Sequence, residues 1–368
     1  MSVSVHVYGA GSIGNHLTHA CRKKGWQVTV IDTDAAALAR MKDSIYPSRY
    51  GAWDSTIQLK TPDQLEGAGA DVVIVGTPPD THMNVAFSVL AHSAPKIIVI
   101  EKPLCTPDLS RCDELEKVAR DKGTLVLTGY NHTLVPASDA AVARIKTGAL
   151  GTVQTVIAEF REYWGGIFAA HPWLSGPADS YLGFWQRGGG ASGEHSHAMN
   201  IWQFFANALG GGRITEVNAL LDYDNSGGCA YDRICQLHVR TENGLPGSII
   251  QDVITEPSRK CVRVQGSKGF LEWHVNHRKD EDRIFFGGSG EAMQETAFPK
   301  TRPDDFKGEV DHVERLLNKK DAPDQSPIHL HRGLETMLVI AAAHLSARSK
   351  RPVYIDYSRG WTEKALSV

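Results

Sequence analysis

The chain has no long apolar run, no block of like charge and no paired-cysteine motif, and each absence removes a class of function. No apolar stretch approaches the ~20 residues that a bilayer-spanning helix needs, so a membrane partner is not expected. Lys and Arg total 39 against 42 Asp and Glu, a net charge of −3, and the longest basic run is Arg22-Lys23-Lys24. A protein that tracks phosphate backbones needs a basic surplus, so nucleic acid is not expected either. The opening MSVSVHVYGAGSIG shows no basic n-region ahead of an apolar core, as a secretory leader would. The six cysteines (Cys21, Cys105, Cys112, Cys229, Cys235, Cys261) lack CxxC spacing. They signal neither a zinc knuckle nor a redox pair and fit a reducing, cytoplasmic setting.

What is present is ordinary globular chemistry on a large scale. A hydrophobic fraction of 42% and a charged fraction of 22% are typical of a folded soluble protein. At 368 residues the chain exceeds the usual size of one hydrophobic core, so two domains are expected.

The first third repeats one pattern. Val3, Val5 and Val7 alternate as in a strand, a glycine turn spans Gly9 to Gly14, and Asn15 to Lys24 reads as a helix stopped by Gly25. Strands follow at Gln27 to Ile31, Asp71 to Val75, Lys96 to Ile100 and near Leu125 to Tyr130. Short, nearly continuous apolar runs alternating with helical segments imply a parallel sheet covered on both faces. After Val135-Pro136 the pattern changes. Thr152 to Phe160, Glu216 to Asp222, Ile234 to Arg240, Gly247 to Ile254, Cys261 to Gln265 and Phe270 to His274 read as successive strands, which suits an antiparallel or mixed sheet. Helices are expected at His195 to Leu209 and Gly333 to Ser349. The expected fold is therefore α/β. An N-terminal Rossmann dinucleotide-binding domain spans residues 1–133, and an α+β domain with a large open, mainly antiparallel sheet spans 134–368, with a C-terminal helix packing back toward the first.

Gly9-Ala10-Gly11-Ser12-Ile13-Gly14 is a G-x-G-x-x-G, a weak signal alone. Here a strand precedes it, a helix follows, and Asp32 ends the next strand, ~20 residues on. Gly9 permits the tight turn, Gly11 lets backbone approach a pyrophosphate, and Gly14 allows close helix–strand packing. The helix start at Ser12 and Ile13 offers free N–H groups and a positive dipole end. A carboxylate at Asp32 accepts ribose hydroxyls and repels a 2′-phosphate, so NAD is expected rather than NADP.

With that turn, Asp32, Gly76-Thr77-Pro78-Pro79-Asp80-Thr81-His82 and Glu101-Lys102-Pro103 in order, the chain resembles the glucose-fructose oxidoreductase / inositol dehydrogenase / MocA family. Gly129-Tyr130-Asn131, Gly188-Gly189-Gly190 and the tail Ser346 to Val353 continue the likeness through nearly the whole chain. The resemblance implies that Thr77, Pro78, His82 and Asn131 border the cofactor, that Glu101 and Lys102 reach the nicotinamide, that the Lys102-Pro103 bond can be cis, and that the outer face of the second sheet builds a homodimer or homotetramer. It also places Tyr130 near the substrate.

In that family a glycine run leads into a helix whose acid and histidine stand four residues apart. Here the segment reads Gly188-Gly189-Gly190-Ala191-Ser192-Gly193-Glu194-His195-Ser196-His197-Ala198-Met199-Asn200, with the acid three residues before His197. Both spacings share a helix face. Removing hydride from a secondary alcohol needs one group to take the hydroxyl proton and another to hold the oxygen. His197 is the expected base, since an imidazole near its ordinary pKa of ~6.5 shuttles protons at neutral pH. Lys102 is expected at the reacting oxygen, and whether it or His197 finally takes the proton stays open. Glu194 either orients His197 or binds a substrate hydroxyl, and His195 is a substrate candidate. A lone histidine on a helix is more commonly a satisfied core group; the clustering of three ionisable residues beside glycines favours a site. His-x-His plus Glu can also ligate zinc, but no further ligand cluster stands out and no metal is expected.

His171, Trp164, Trp173 and Trp185 precede that helix. Aromatic faces pack on the C–H faces of sugar rings, so His171 and Trp173 are taken as substrate contacts, with domain core as the other role for any tryptophan. The expected activity is NAD-dependent hydride transfer to or from a hydroxyl or ketone carbon of a sugar, sugar derivative or cyclic polyol. The alternatives are a glycosidase that oxidises its substrate transiently with bound NAD and a non-catalytic dinucleotide sensor. The first would form no net NADH, and the second has no need of a proton acceptor.

Overall fold

The computed structural model describes residues 2–65, 69–169, 171, 173–288, 290 and 292–368. Six parallel strands form the first sheet: β1 (Ser4–Tyr8), β2 (Gln27–Ile31), β3 (Gln58–Lys60), β4 (Val72–Val75), β5 (Ile97–Ile100) and β6 (Leu125–Thr128). Their spatial order is β3-β2-β1-β4-β5-β6. Every residue of β4 and β5 is buried, as expected for central strands covered on both faces. The order reverses between β1 and β4, and ligands bind outside the carboxyl ends of strands at such a switch point. Those ends deliver Gly9, Gly76, Glu101 and Gly129 to one rim.

The second sheet has ten strands. They are β7 (Val153–Arg161), β8 (Ile214–Asp224), β9 (Tyr231–Thr241), β10 (Pro246–Asp252), β11 (Arg259–Gly266), β12 (Gly269–Arg278), β13 (Glu281–Gly288), β14 (Gln294–Pro299), β15 (Val353–Ile355) and β16 (Leu366–Ser367). They run in the order β14-β13-β12-β11-β7-β10-β9-β8-β15-β16. Only β7 with β10 is parallel among these pairs. Alternation sets the faces: on β9, Cys235, Leu237 and Val239 are buried while Gln236, His238 and Arg240 are exposed. The inner face packs against helices Pro136–Lys146, His197–Ala208 and Leu330–Ser349. Trp202, Phe205, Phe160 and Trp273 fill that layer, each 0–1% exposed.

The six strands expected after residue 134 are all present, as β7 through β12. The expectation missed β13 to β16 and the helix Arg302–Leu317. That helix returns to the first sheet, packing on helix Ser12–Lys23, with Phe306, Val310, Val313 and Leu316 entering the core around Val5, Leu17 and Val28. A backbone bridge between Leu127 and His329 adds a second return crossing.

Candidate active site

The glycine turn has the shape its spacing implied. Gly9 lies at φ +106°, and a β-carbon there would stand 2.6 Å from the Gly76 carbonyl oxygen. A β-carbon on Gly14 would stand 1.9 Å from the Gly9 carbonyl oxygen, so helix and strand could not approach as they do. Gly11, by contrast, faces open space, with no atom within 4 Å of the place a β-carbon would take. At the end of β2 the Asp32 carboxylate accepts from the Ala10 N–H at 2.8 Å and the Asp34 N–H at 2.9 Å. These contacts fix the carboxylate beside the glycine turn. Ser12 and Ile13 open the following helix. An open cradle at Gly11, a helix N-terminus and an anchored carboxylate fit NAD in chemistry and in room.

Beyond β4, Thr77 and Pro78 lead into helix Pro79–His92, with the Thr77 hydroxyl accepting from the Thr81 hydroxyl at 2.7 Å. His82 is fully buried. Its Nε2 lies 2.7 Å from the Thr77 carbonyl, and its Nδ1 lies 3.1 and 3.3 Å from the Pro103 and Leu104 carbonyls. It ties the Thr77 loop to the Lys102 loop rather than presenting its ring at the rim. The Lys102-Pro103 bond is cis.

Lys102 reaches across to the second domain. Its Nζ donates to the Glu194 carbonyl at 2.8 Å and lies 3.1 Å from the Glu194 carboxylate, with both side chains largely buried. Glu101 is turned inward beneath it, one carboxylate oxygen accepting from the Lys102 N–H at 3.3 Å and the other without a partner. Burial pushes its carboxyl up to about 7, opposed chiefly by the Lys102 charge.

The segment expected as one helix from His195 is divided. Gly190–Glu194 forms a short helix, His195 and Ser196 form a turn, and His197 starts the helix to Ala208. Glu194 and His197 therefore do not share one helix face. Gln251 on β10 donates to the carbonyl of His195, which the irregular turn leaves outside the regular ladder. The two histidines then meet different groups. His197 packs against Tyr130, His132 and Phe160, with ring centroids 5.5, 4.5 and 6.4 Å away. His195, buried, feels the charges of Lys260 and Glu162, which pair at 2.6 Å. The expectation of a freely titrating His197 is corrected: burial, then the charges of His132 and Lys102, hold it well below the usual imidazole range. It is a neutral ring whose Nδ1 has no partner.

Tyr130 is fully buried, and burial drives its hydroxyl's pKa upward. Asn131, also buried, follows it at the carboxyl end of β6. Trp173 is 39% exposed, with the Arg40 guanidinium of the first domain 5.7 Å from its ring centre and His171 edge-on at 5.0 Å. Trp173 thus reaches the cofactor-binding domain. Trp164 instead packs on Phe168 and Tyr231, and Trp185 stacks on His344 at 4.3 Å. His132, Glu162 and Lys260 escaped the sequence reading. His132 directly follows Asn131 and could have been noticed; Glu162 and Lys260 meet only through β7–β11 pairing. Among the described residues no group of three or more His, Cys, Asp or Glu side chains is arranged to hold a metal.

Residues 3–130 match the model of an oxidoreductase family with an NAD-binding Rossmann fold, and residues 139–272 match the C-terminal domain of the same GFO/IDH/MocA family. The chain belongs to this family. By that membership it is an oxidoreductase with an NAD-binding Rossmann domain. A curated relative, trans-1,2-dihydrobenzene-1,2-diol dehydrogenase of Oryctolagus cuniculus, is 24% identical over 226 residues, covering 61% of this chain and 60% of that protein. An oxidoreductase from Agrobacterium radiobacter, solved with NAD+, L-tartaric acid and magnesium, superposes with a TM-score of 0.76 at 16% identity, over 96% of this chain and 98% of that one. An aldose-aldose oxidoreductase from Caulobacter crescentus, solved with glycerol, gives 0.74 at 18% identity, over 96% and 100%.

Proposed function

We propose that the protein oxidises a secondary hydroxyl, or reduces the matching ketone, on a sugar, sugar derivative or cyclic polyol. The observation that carries this reading is the Lys102–Glu194 pair, a cation from the cofactor-binding rim fixed by a carboxylate of the other domain beside the neutral, unpartnered His197. NAD, when bound, supplies the hydride acceptor. Lys102 holds the reacting oxygen by a charge-assisted hydrogen bond, and His197 accepts the hydroxyl proton through its free nitrogen. Burial makes His197 a weaker base than an exposed imidazole. Glu194, His195, Trp173, Tyr130 and His171 are the residues this reading assigns to the substrate. The diol, hydroxy-acid and aldose named for the similar proteins all carry hydroxyl-bearing carbons, in keeping with this substrate class.

Residues 1–133 are read as the cofactor lobe and 134–368 as the substrate lobe. The outer sheet face, where Leu220 and Tyr354 are 63% and 51% exposed, suits association into a homodimer or homotetramer. Six free, buried cysteines suit the cytoplasm, and no helix among the described residues is long and apolar enough to cross a membrane. The test is a panel of sugars, sugar acids and polyols followed by NADH fluorescence. One class should give net NADH; glycoside cleavage without net NADH, or turnover of none, would remove the dehydrogenase reading.

A further inference from the structure

Between β2 and β3 the chain forms one continuous helical run, Ala35–Arg40, a wide turn at Met41–Ile45, and Tyr46–Tyr50. Pro47 lies in the last piece and cannot donate an N–H to the preceding turn, which accords with the wide turn before it. The run ends by laying Arg49 against the start of the phosphate-facing helix. Arg49 Nη1 donates to the Ser12 carbonyl at 2.9 Å, and Nη2 donates to the Ser12 hydroxyl at 2.9 Å. Two aromatic contacts lock this placement. The Tyr50 ring stacks on His19 at 3.6 Å, and the Tyr50 hydroxyl meets His16 Nδ1 at 2.5 Å.

We infer that Arg49 is a pyrophosphate-binding residue of the cofactor site, acting directly and through the Ser12 hydroxyl. Among the described residues no carboxylate lies within 4.0 Å of the half-buried Arg49 guanidinium; the neighbouring charge it feels besides Tyr50 is that of Arg302, of like sign. A partly desolvated cation without an anion is costly. The place where an anion is due lies beside it, at the open face of Gly11 and the N–H groups of Ser12 and Ile13. A guanidinium has five N–H groups, and Ser12 uses two of them. The remaining donors are free for phosphate oxygens, and a Ser12 hydroxyl that accepts from Arg49 has its own proton to give. Asp32 on one side and Arg49 on the other provide a negative end for the ribose hydroxyls and a positive end for the phosphates.

The inference rests on NAD binding and not on the substrate assignment, so the two can fail separately. The test uses the full chain as wild type, Arg49→Met and Arg49→Lys. ADP-ribose binding is followed by calorimetry, adenosine binding by ligand-observed NMR, and folding by thermal melting. Loss of one or two charge-assisted bonds should weaken ADP-ribose about 10- to 100-fold in Arg49→Met and less in Arg49→Lys, which keeps the charge without the fork. Adenosine, which has no phosphate, should keep its affinity within about twofold by the same reasoning. The salt dependence of ADP-ribose binding should also flatten in Arg49→Met. Unchanged ADP-ribose affinity in either folded variant overturns the assignment. An equal loss for adenosine and ADP-ribose also overturns it, because Arg49 would then only shape the turn. Should Arg49→Met not fold, Arg49→Lys decides by the same comparison.

Discussion

The Lys102 ammonium and the Glu194 carboxylate stand 3.1 Å apart across the two sheets, and the same ammonium also donates to the Glu194 carbonyl at 2.8 Å. A charge held this way is set in place before substrate arrives, so its removal should act on the chemical step rather than on cofactor capture. Lys102→Ala is expected to lower kcat by about 10²- to 10⁴-fold, the usual worth of a positioned proton-handling group. NADH affinity, followed by fluorescence, should stay within about threefold, well under one charge-assisted bond. Glu194→Gln should lose less, because the carbonyl contact survives. Full turnover in Lys102→Ala would assign the chemistry to other groups.

Asp32 accepts two backbone N–H groups at the rim of the glycine turn, and the proposed cofactor reading puts the adenosine ribose beside its charge. Replacing it by alanine should weaken NAD by about 10-fold or more, the worth of a charged hydrogen bond, and should raise acceptance of NADP by removing a repulsive charge. The check is the ratio of NAD to NADP affinities in wild type and Asp32→Ala. An unchanged ratio would show that selectivity lies elsewhere.

The first domain was legible because its signals are local. Continuous apolar runs at β4 and β5, the glycine spacing and Asp32 each say what they are within a few residues, and Glu101-Lys102-Pro103 follows a strand end directly. The second domain was legible only in part. β13 and β14 pair beyond the strands whose alternation is clear; β14 exposes most of its residues, so no buried face marks it. The returning helix Arg302–Leu317 draws its role from Leu17 and Val28, hundreds of positions away in the chain. The break at His195 and Ser196 escaped because apolar periodicity resumes at once after it. The low basicity of His197 follows from burial first, and then from neighbours, His132 and Lys102, that only the fold brings near.

Glu101 carries a pH signature of its own. Its carboxyl, 6% exposed, is pushed by burial up to about 7, against about 4.5 in an open chain. Between those values the folded protein keeps a proton that the unfolded chain releases. Stability should therefore be fully present below about pH 4.5 and fall as pH rises to about 7, by on the order of 3 kcal/mol from this group. In Glu101→Gln the fall should disappear, so the melting temperature of the variant relative to wild type should climb between pH 5 and pH 8. Parallel curves would mean that Glu101 is ionised in the native state throughout.

His344 works in the opposite direction. It is 1% exposed, with Nε2 3.1 Å from the Ser192 hydroxyl, Nδ1 2.7 Å from the Tyr223 hydroxyl and the Trp185 ring stacked on it. Burial pushes its pKa down to about 3, with the Arg348 charge assisting. The unfolded chain gains this proton near pH 6.5, whereas the native state refuses it until much lower. Stability is therefore complete above pH 6.5 and lost as the pH falls toward 3, at about 2 kcal/mol by pH 5. His195, held at about 3 mainly by burial, adds to the same slope. His344→Gln removes one titration, at the cost of poorer packing against Trp185. The variant should be less stable than wild type at pH 7.5, and the gap should narrow steadily on acidification. Melting temperatures taken from pH 7.5 to pH 5 decide the matter: a gap that stays constant would show that His344 takes up its proton at the same pH in the native protein as in the unfolded chain.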